Sequence, residues 1–198
     1  MSTVPHRPIE RIMPDLDAFL NLLNVGITCE RLEVAGSVRR KCPTVGDVDI
    51  VAIPKFGEMD TNAGGMFPDL KTVNLLWHRV DDLVKLGTFA KHIKETAAGP
   101  RTKWGETIRA IEFRGMAFEV TCCDAANWFA RLAIATGPGI MSKEIVTRLP
   151  QRGYRFTDDH QFHLEHRDGV HAPTPVIPAS EREVFDLAGI GYKLPHQR

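Results

Sequence analysis

Residues 34–50 read VAGSVRRKCPTVGDVDI, and the rest of the chain is best understood outward from them. Before this stretch, residues 31–35 form a short strand-like run that ends at Gly36-Ser37. After it, residues 48–53 form a second strand, apolar except for Asp49 and stopped by Pro54. Alternate residues of a strand share a face, so Asp47 and Asp49 are expected to project together from the start of that strand.

Two like charges so close repel, and burying them unpaired is costly. A pair of Mg²⁺ ions resolves the conflict, with Mn²⁺ as a substitute, because such ions accept carboxylate, phosphate and water oxygens together. Gly36-Ser37 suits the complementary role of a phosphate cradle. Glycine lets backbone amides approach a phosphate, serine adds a donor, and a helix start just beyond favours anions. Arg39 and Arg40 supply guanidinium forks matched to a triphosphate.

Upstream, Ile9, Ile12, Leu16, Phe19, Leu20 and Leu23 recur at helical spacing. Downstream, residues 55–68 hold three glycines and read as a loop. Residues 69–86 then predict one amphipathic helix with Gly87 at its C-terminal end. Residues 108–122 predict a hairpin turning at Arg114-Gly115. Asp124 is expected to cap a helix reaching Ala135, stopped by Thr136-Gly137-Pro138, and a further helix covers residues 141–152.

The texture changes near residue 138: short strands at 154–156 and 162–165, a proline-rich stretch at 172–179, and a capping box opening at Ser180. His160, His163 and His166 belong to a solvated hairpin there. Trp104 and the adjacent Cys122-Cys123 read as packing residues.

The 198 residues are 43% hydrophobic and 25% charged, as in a soluble globular chain, and the formal net charge is zero. No apolar run reaches the about 18 residues a membrane helix needs, and the N-terminus has no apolar signal core. Four cysteines without a CxxC pair predict reduced thiols. An intracellular location follows as the expectation: cytoplasm or nucleoid, or a viral or phage-encoded protein.

The pattern Gly36-Ser37, Arg39-Arg40, Gly46-Asp47-Val48-Asp49 resembles the signature of the polymerase-beta-type nucleotidyltransferase superfamily, and more narrowly that of family X DNA polymerases. Glu119 stands where that family carries its third metal carboxylate. Thr136-Gly137 falls where the family has a turn beside the incoming nucleotide. Gly153-Tyr154 and residues 175–195 are similar to the end of its thumb.

The resemblance implies an α+β fold: a palm of mixed sheet and helices over residues 1–137, then a small α+β thumb over 138–198, without the lyase and fingers region. It implies a monomeric DNA-directed DNA polymerase that adds dNTPs to a primer 3′-hydroxyl on gapped or nicked DNA, with two metal ions. Asp47 and Asp49 would hold the nucleotide-bound ion, and Asp47, Asp49 and Glu119 the catalytic one. Gly36, Ser37, Arg40, Gly46, Thr136 and Gly137 would contact the nucleotide, and Lys143, Arg148 and Arg152 the DNA. The alternative is untemplated transfer to a small molecule, a protein or an RNA end; a non-catalytic nucleotide or DNA binder is the remaining rival.

Three positions depart from the family pattern. Glutamate at Glu119 replaces aspartate, Ile134-Ala135 replaces an aromatic pair, and Val146 aligns with an arginine that reads the templating base pair. The Ile134-Ala135 pair leaves the choice between deoxy and ribo sugars open, and Val146 points to low fidelity or a different template geometry.

Overall fold

A computed structural model describes residues 6–60, 69–157 and 163–198. His160, Phe162, the N-terminal residues 1–5 and residues 61–68 of the expected loop lie outside the described residues.

Strand β1 (Arg7–Pro8) leads into helix α1 (Ile9–Leu23), followed by a helical turn, α2 (Val25–Thr28). Strand β2 (Cys29–Val34) runs to the short helix α3 (Gly36–Arg39). Strand β3 (Thr44–Val45) pairs with β1 and delivers the chain to β4 (Asp47–Pro54).

The expected loop after β4 begins instead as a strand, β5 (Phe56–Asp60), which pairs antiparallel with β6 (Leu70–Asn74). Helix α4 (Leu75–Lys85) is therefore shorter than residues 69–86. The apolar residues Leu70 and Val73 fit a helical stripe, but the side chain of Asn74 accepts a hydrogen bond from the Trp77 amide and starts the helix there. Past Lys85 the chain closes as expected, with Gly87 at φ +72° and Thr88 N–H donating to Leu83 C=O.

Strand β7 (Ala90–Lys91), the hairpin of β8 (Lys94–Thr96) and β9 (Gly99–Arg101), and the long hairpin of β10 (Ile108–Phe113) and β11 (Met116–Cys122) complete this half. Arg114 and Gly115 both take positive φ, as the two-residue turn of β10–β11 requires.

Asp124 does not cap a helix directly. Its Oδ1 accepts from the Asn127 amide and closes a turn, so helix α5 (Trp128–Thr136) starts later than expected. Helix α6 (Gly139–Gln151) carries Pro150 in its last turn. Strands β12 (Tyr154–Phe156), β13 (Leu164–His166) and β14 (Thr174–Pro175) form a small antiparallel sheet. Helix α7 (Glu181–Ala188) opens with Ser180 Oγ accepting from the Glu183 amide, while the Glu183 carboxylate reaches the amide of Ala179, one residue before the expected partner.

The central sheet has the order β2-β4-β11-β10-β7 and is mixed: β4 and β11 run parallel, their other pairings antiparallel. The molecule is thus α+β with a mixed sheet. On one face, α1 and α4 cover Val48, Ile50, Ala52, Phe118 and Val120. Phe19 stacks on Phe118 with ring centroids 4.0 Å apart and planes 9° from parallel. On the other face, Trp128 and Leu132 of α5 pack with Ala35, Val51 and Cys123.

Helix α5 has a second apolar side. Ala130 and Ala133 join Ile145, Leu149, Leu164, Val184, Phe185 and Ala188 in a C-terminal core. Among the described residues, no helix is long and apolar enough to cross a membrane.

Candidate active site

The open end of the sheet follows from the alternation of β4. Its inner residues Val48, Ile50 and Ala52 are all buried on α1 and α4. On the outer face it begins acidic, at Asp47 and Asp49, and turns apolar at Val51 and Ile53, where α5 takes over. Strand β11 switches likewise, with Glu119 and Thr121 facing outward and Phe118 and Val120 inward. Because β4 and β11 are parallel and in register, Glu119 stands directly beside Asp49, and Ala117 beside Asp47.

A cavity of about 400 Å³ opens at this end, with Ser37, Arg40, Asp47, Asp49, Glu119 and Gly137 in its wall. Thr121, Arg131, Ile134 and Ser142 also face it. Burial, then the charges of Asp47 and Glu119, push the Asp49 carboxyl up to about 7; Lys103 and Arg40 oppose that rise. The negative charge of the three carboxylates is thus only partly compensated by the protein's own cations.

Gly36 is fixed by two constraints. Its φ is +59°, and a Cβ there would stand 2.0 Å from Asp49 Oδ2. The Ala35 amide donates to Asp49 C=O at 2.8 Å, so the turn into α3 is stitched to β4 at the carboxylate.

Arg40 and Arg39 diverge. The Arg40 guanidinium lines the cavity and donates to Thr136 C=O. Arg39, expected to serve the triphosphate, turns away: it donates to both carboxylate oxygens of Glu181, at 2.9 and 2.8 Å, and to Thr136 Oγ1 at 2.8 Å. Burial acts to lower the Arg39 guanidinium, but its bonds to Glu181 outweigh that and hold it above its ordinary value. Thr136 is fully buried and serves as the bracket for both arginines, while Gly137 reaches the cavity. Gly46 lies beside His6 and does not itself line the cavity, although its neighbour Asp47 does.

The C-terminal basic residues are not gathered at the cleft. Lys143 and Arg148 are exposed on α6, and Arg148 pairs with Glu144 at 2.9 Å. Arg152 donates to Leu187 C=O at 2.8 Å and so ties α6 to α7. His163 bonds Asp124, and the His166 ring lies 5.1 Å from that of Tyr154.

Val146 is 43% exposed and lines a second, largely apolar cavity of about 640 Å³ with Leu149, Tyr154 and Phe156. That recess shares Arg131 and Ile134 with the carboxylate cavity, so the two adjoin.

Lys103 was not foreseen. Its Nζ lies 2.5 Å from Glu119 Oε2 and supplies the nearest positive charge to the third carboxylate. The signal was present as a run of Lys91, Lys94, Arg101 and Lys103 around a small-residue turn, but no apolar alternation marks it.

Three carboxylates on adjacent strands are the donor chemistry of a hard divalent cation; burial first, and then Asp47 and Glu119, disfavour the charged form of Asp49 in the metal-free protein. Among the described residues, however, no three His, Cys, Asp or Glu side chains converge as an already formed ligand cluster. The residues fit in kind and in register, and all three line one cavity.

No protein-family model matches this chain, and no curated protein matches its sequence.

Proposed function

We propose that this chain is a nucleotidyltransferase of the polymerase-beta-like type, with residues 1–137 as its palm and 138–198 as its thumb. The reading is of a family X-like DNA polymerase that adds dNTPs to a primer 3′-hydroxyl on gapped or nicked DNA. The observation that carries it is the register of Asp49 beside Glu119, with Asp47 two residues away, at a cavity that Ser37 and Arg40 also line.

Asp47 and Asp49 would hold the ion that accompanies the nucleotide, and all three carboxylates the catalytic one. When bound, Mg²⁺ or Mn²⁺ supplies charge neutralisation and activation of the acceptor oxygen. Ser37 and Arg40 grip the triphosphate by hydrogen bond and guanidinium fork. The Gly36 turn holds the cradle against Asp49, so the phosphate side and the carboxylate side are positioned as one piece. The acceptor oxygen forms the new bond to the α-phosphorus, its proton passes to a carboxylate of the set, and pyrophosphate leaves with the broken bond. The apolar recess around Tyr154 and Phe156 offers a surface beside the polar cleft for a base.

One observation favours the second reading, untemplated transfer to another acceptor. Val146 presents an apolar surface where a hydrogen-bonding side chain would read a template pair.

The test supplies purified protein with Mg²⁺ or Mn²⁺, single-nucleotide-gapped DNA and each dNTP or NTP separately. Template-matched extension supports the polymerase, and untemplated addition supports the second reading. No addition under any of these conditions would sink both.

A further inference from the structure

Past Pro54 and Cys122, at the end of β4 and β11 farthest from Asp47, another recess of about 390 Å³ opens. Ile53, Pro54 and Phe56 give it an apolar wall, and Glu30, Glu106 and Asp124 stand around it. Phe56 is 64% exposed. Both sides of the recess are anchored. Phe56 is in register with Asn74, whose side chain starts α4, and the Glu106 carbonyl accepts from Trp77 Nε1 at 2.6 Å.

The acidic groups there are only partly answered. Asp124 bonds His163, but among the described residues neither Glu30 nor Glu106 has an ion-pair partner. An aromatic ring left in water and ringed by carboxylates has the make-up of a contact surface, with an apolar centre and a polar rim.

The same chain carries the complement. Residues 91–103 hold Lys91, Lys94, Arg101 and Lys103 against Glu95, in a chain whose 25 basic and 25 acidic residues cancel. Lys103 is engaged by Glu119, and the Lys91 ammonium lies over the Trp104 ring at 4.8 Å. Lys94 and Arg101 are exposed and, among the described residues, have no ion-pair partner. They stand directly opposite each other in the β8–β9 hairpin, where like charges sharing a face repel. An anionic surface placed against the hairpin relieves that repulsion. Ile93, between Lys91 and Lys94 in sequence, is 57% exposed and supplies an apolar side chain beside the cations.

We propose that the recess beside Phe56 docks the β8–β9 ribbon of a second copy of this chain. Ile93 packs on Phe56 and Ile53, and Lys94 and Arg101 meet Glu30 and Glu106. The two patches are different surfaces, so the contact is head-to-tail: each pair leaves one recess and one ribbon unused, and assembly continues beyond two copies. A small contact built largely on exposed charge is weak, and it is sensitive to salt.

The test is analytical ultracentrifugation of the full chain. At about 0.05 M salt the average mass of the wild type should rise with concentration past that of two copies. It should return to the monomer near about 1 M, where the screening length falls to about 3 Å. The variants K94Q/R101Q and E30Q/E106Q change exposed side chains only, and circular dichroism checks their fold. Each should need about tenfold more protein to reach the same average mass. Mixed in equal amounts, they should recover the contact and stop at one heterodimer, because one supplies only a working recess and the other only a working ribbon. F56S should also weaken assembly. A K143Q/R148Q control, which removes two exposed charges on α6, should assemble as the wild type does.

A wild type that stays monomeric at low salt overturns the proposal; if that monomer binds a labelled oligolysine, the recess belongs to a foreign basic partner instead. Wild-type assembly by K94Q/R101Q or E30Q/E106Q overturns it too, as does a mixture no larger than its components or an equal loss in K143Q/R148Q.

Discussion

Arg39 and Glu181, one in the turn after the Gly-Ser cradle and the other at the start of the last helix, are joined by a two-pronged ion pair of 2.9 and 2.8 Å. Both are largely buried, and Arg198 adds a third contact to the same carboxylate at 3.2 Å. The cradle is therefore fastened to the last helix through a charged pair.

Arg39→Ala is expected to destabilise the protein by about 2 kcal/mol. That is below the roughly 3–5 kcal/mol of a stranded buried charge, because Arg198 remains on Glu181. Arg39→Lys should recover little, since a lysine cannot make both bonds. Urea unfolding of the three proteins measures this; full stability in Arg39→Lys would show that the fork geometry is unimportant.

Gly36→Ala should be worse than an ordinary surface change. The new methyl would meet Asp49 Oδ2 at 2.0 Å on a backbone already at positive φ. A loss of about 1–3 kcal/mol of stability is expected, and under the nucleotidyltransferase reading weaker dNTP binding as the Gly36 turn moves off β4. Thermal unfolding and a nucleotide titration would show it, and wild-type values in both would mean that Asp49 can step aside at no cost.

Asp49 makes stability depend on pH in a defined direction. Its folded value, raised to about 7 from an ordinary 3.8, favours the protonated form. The stability it allows is fully present below about 3.8 and is lost as pH rises to about 7. Asp49→Asn should therefore stabilise the metal-free protein at pH 8, with little gain at pH 4, and under the nucleotidyltransferase reading it should also abolish nucleotide addition. Melting temperatures of the two proteins across that range decide it; an equal shift at both pH values would mean the carboxylate charge is not the cause.

Much of the site was legible because its residues sit on regular elements. Gly36-Ser37, Asp47 and Asp49 lie within one short segment, and strand alternation alone puts both aspartates on one face. Glu119 came from the resemblance, and the sheet register put it at Asp49's side. What stayed hidden depends on long-range partners. Nothing local in Arg39-Arg40 says that one turns to Glu181, 142 positions away, and the other to Thr136. The strand β6 was hidden because Leu70 and Val73, three residues apart, continue the helical stripe of α4, and only Asn74 marks the break. Lys103 and the β8–β9 cations were missed because an exposed ribbon has no apolar pattern to announce it.

The cysteines should divide by burial. Burial pushes Cys123 up to about 12 and Cys122 higher still, and raises Cys29, while Cys42 is half-exposed. At pH 8 a thiol reagent is expected to modify Cys42 first and the other three only on unfolding. Peptide mapping after timed labelling checks this; early modification of Cys122 or Cys123 would place them nearer solvent than they stand here.

Val146→Arg would put a guanidinium at the mouth of the apolar recess, beside the cleft. Under the polymerase reading it should lower misinsertion opposite each template base several-fold, measured by single-nucleotide incorporation. Unchanged ratios would mean the recess does not meet the templating pair.

Helix α5 has a consequence for how this protein can vary. With Trp128 and Leu132 committed to the sheet, Ala130 and Ala133 to the C-terminal core and Phe129 packed against both, little of the helix is free to change. In a saturation mutagenesis library, residues 128–136 should be the least permissive stretch. Viable substitutions there should come in compensating pairs, one in the helix and one in whichever core it disturbs.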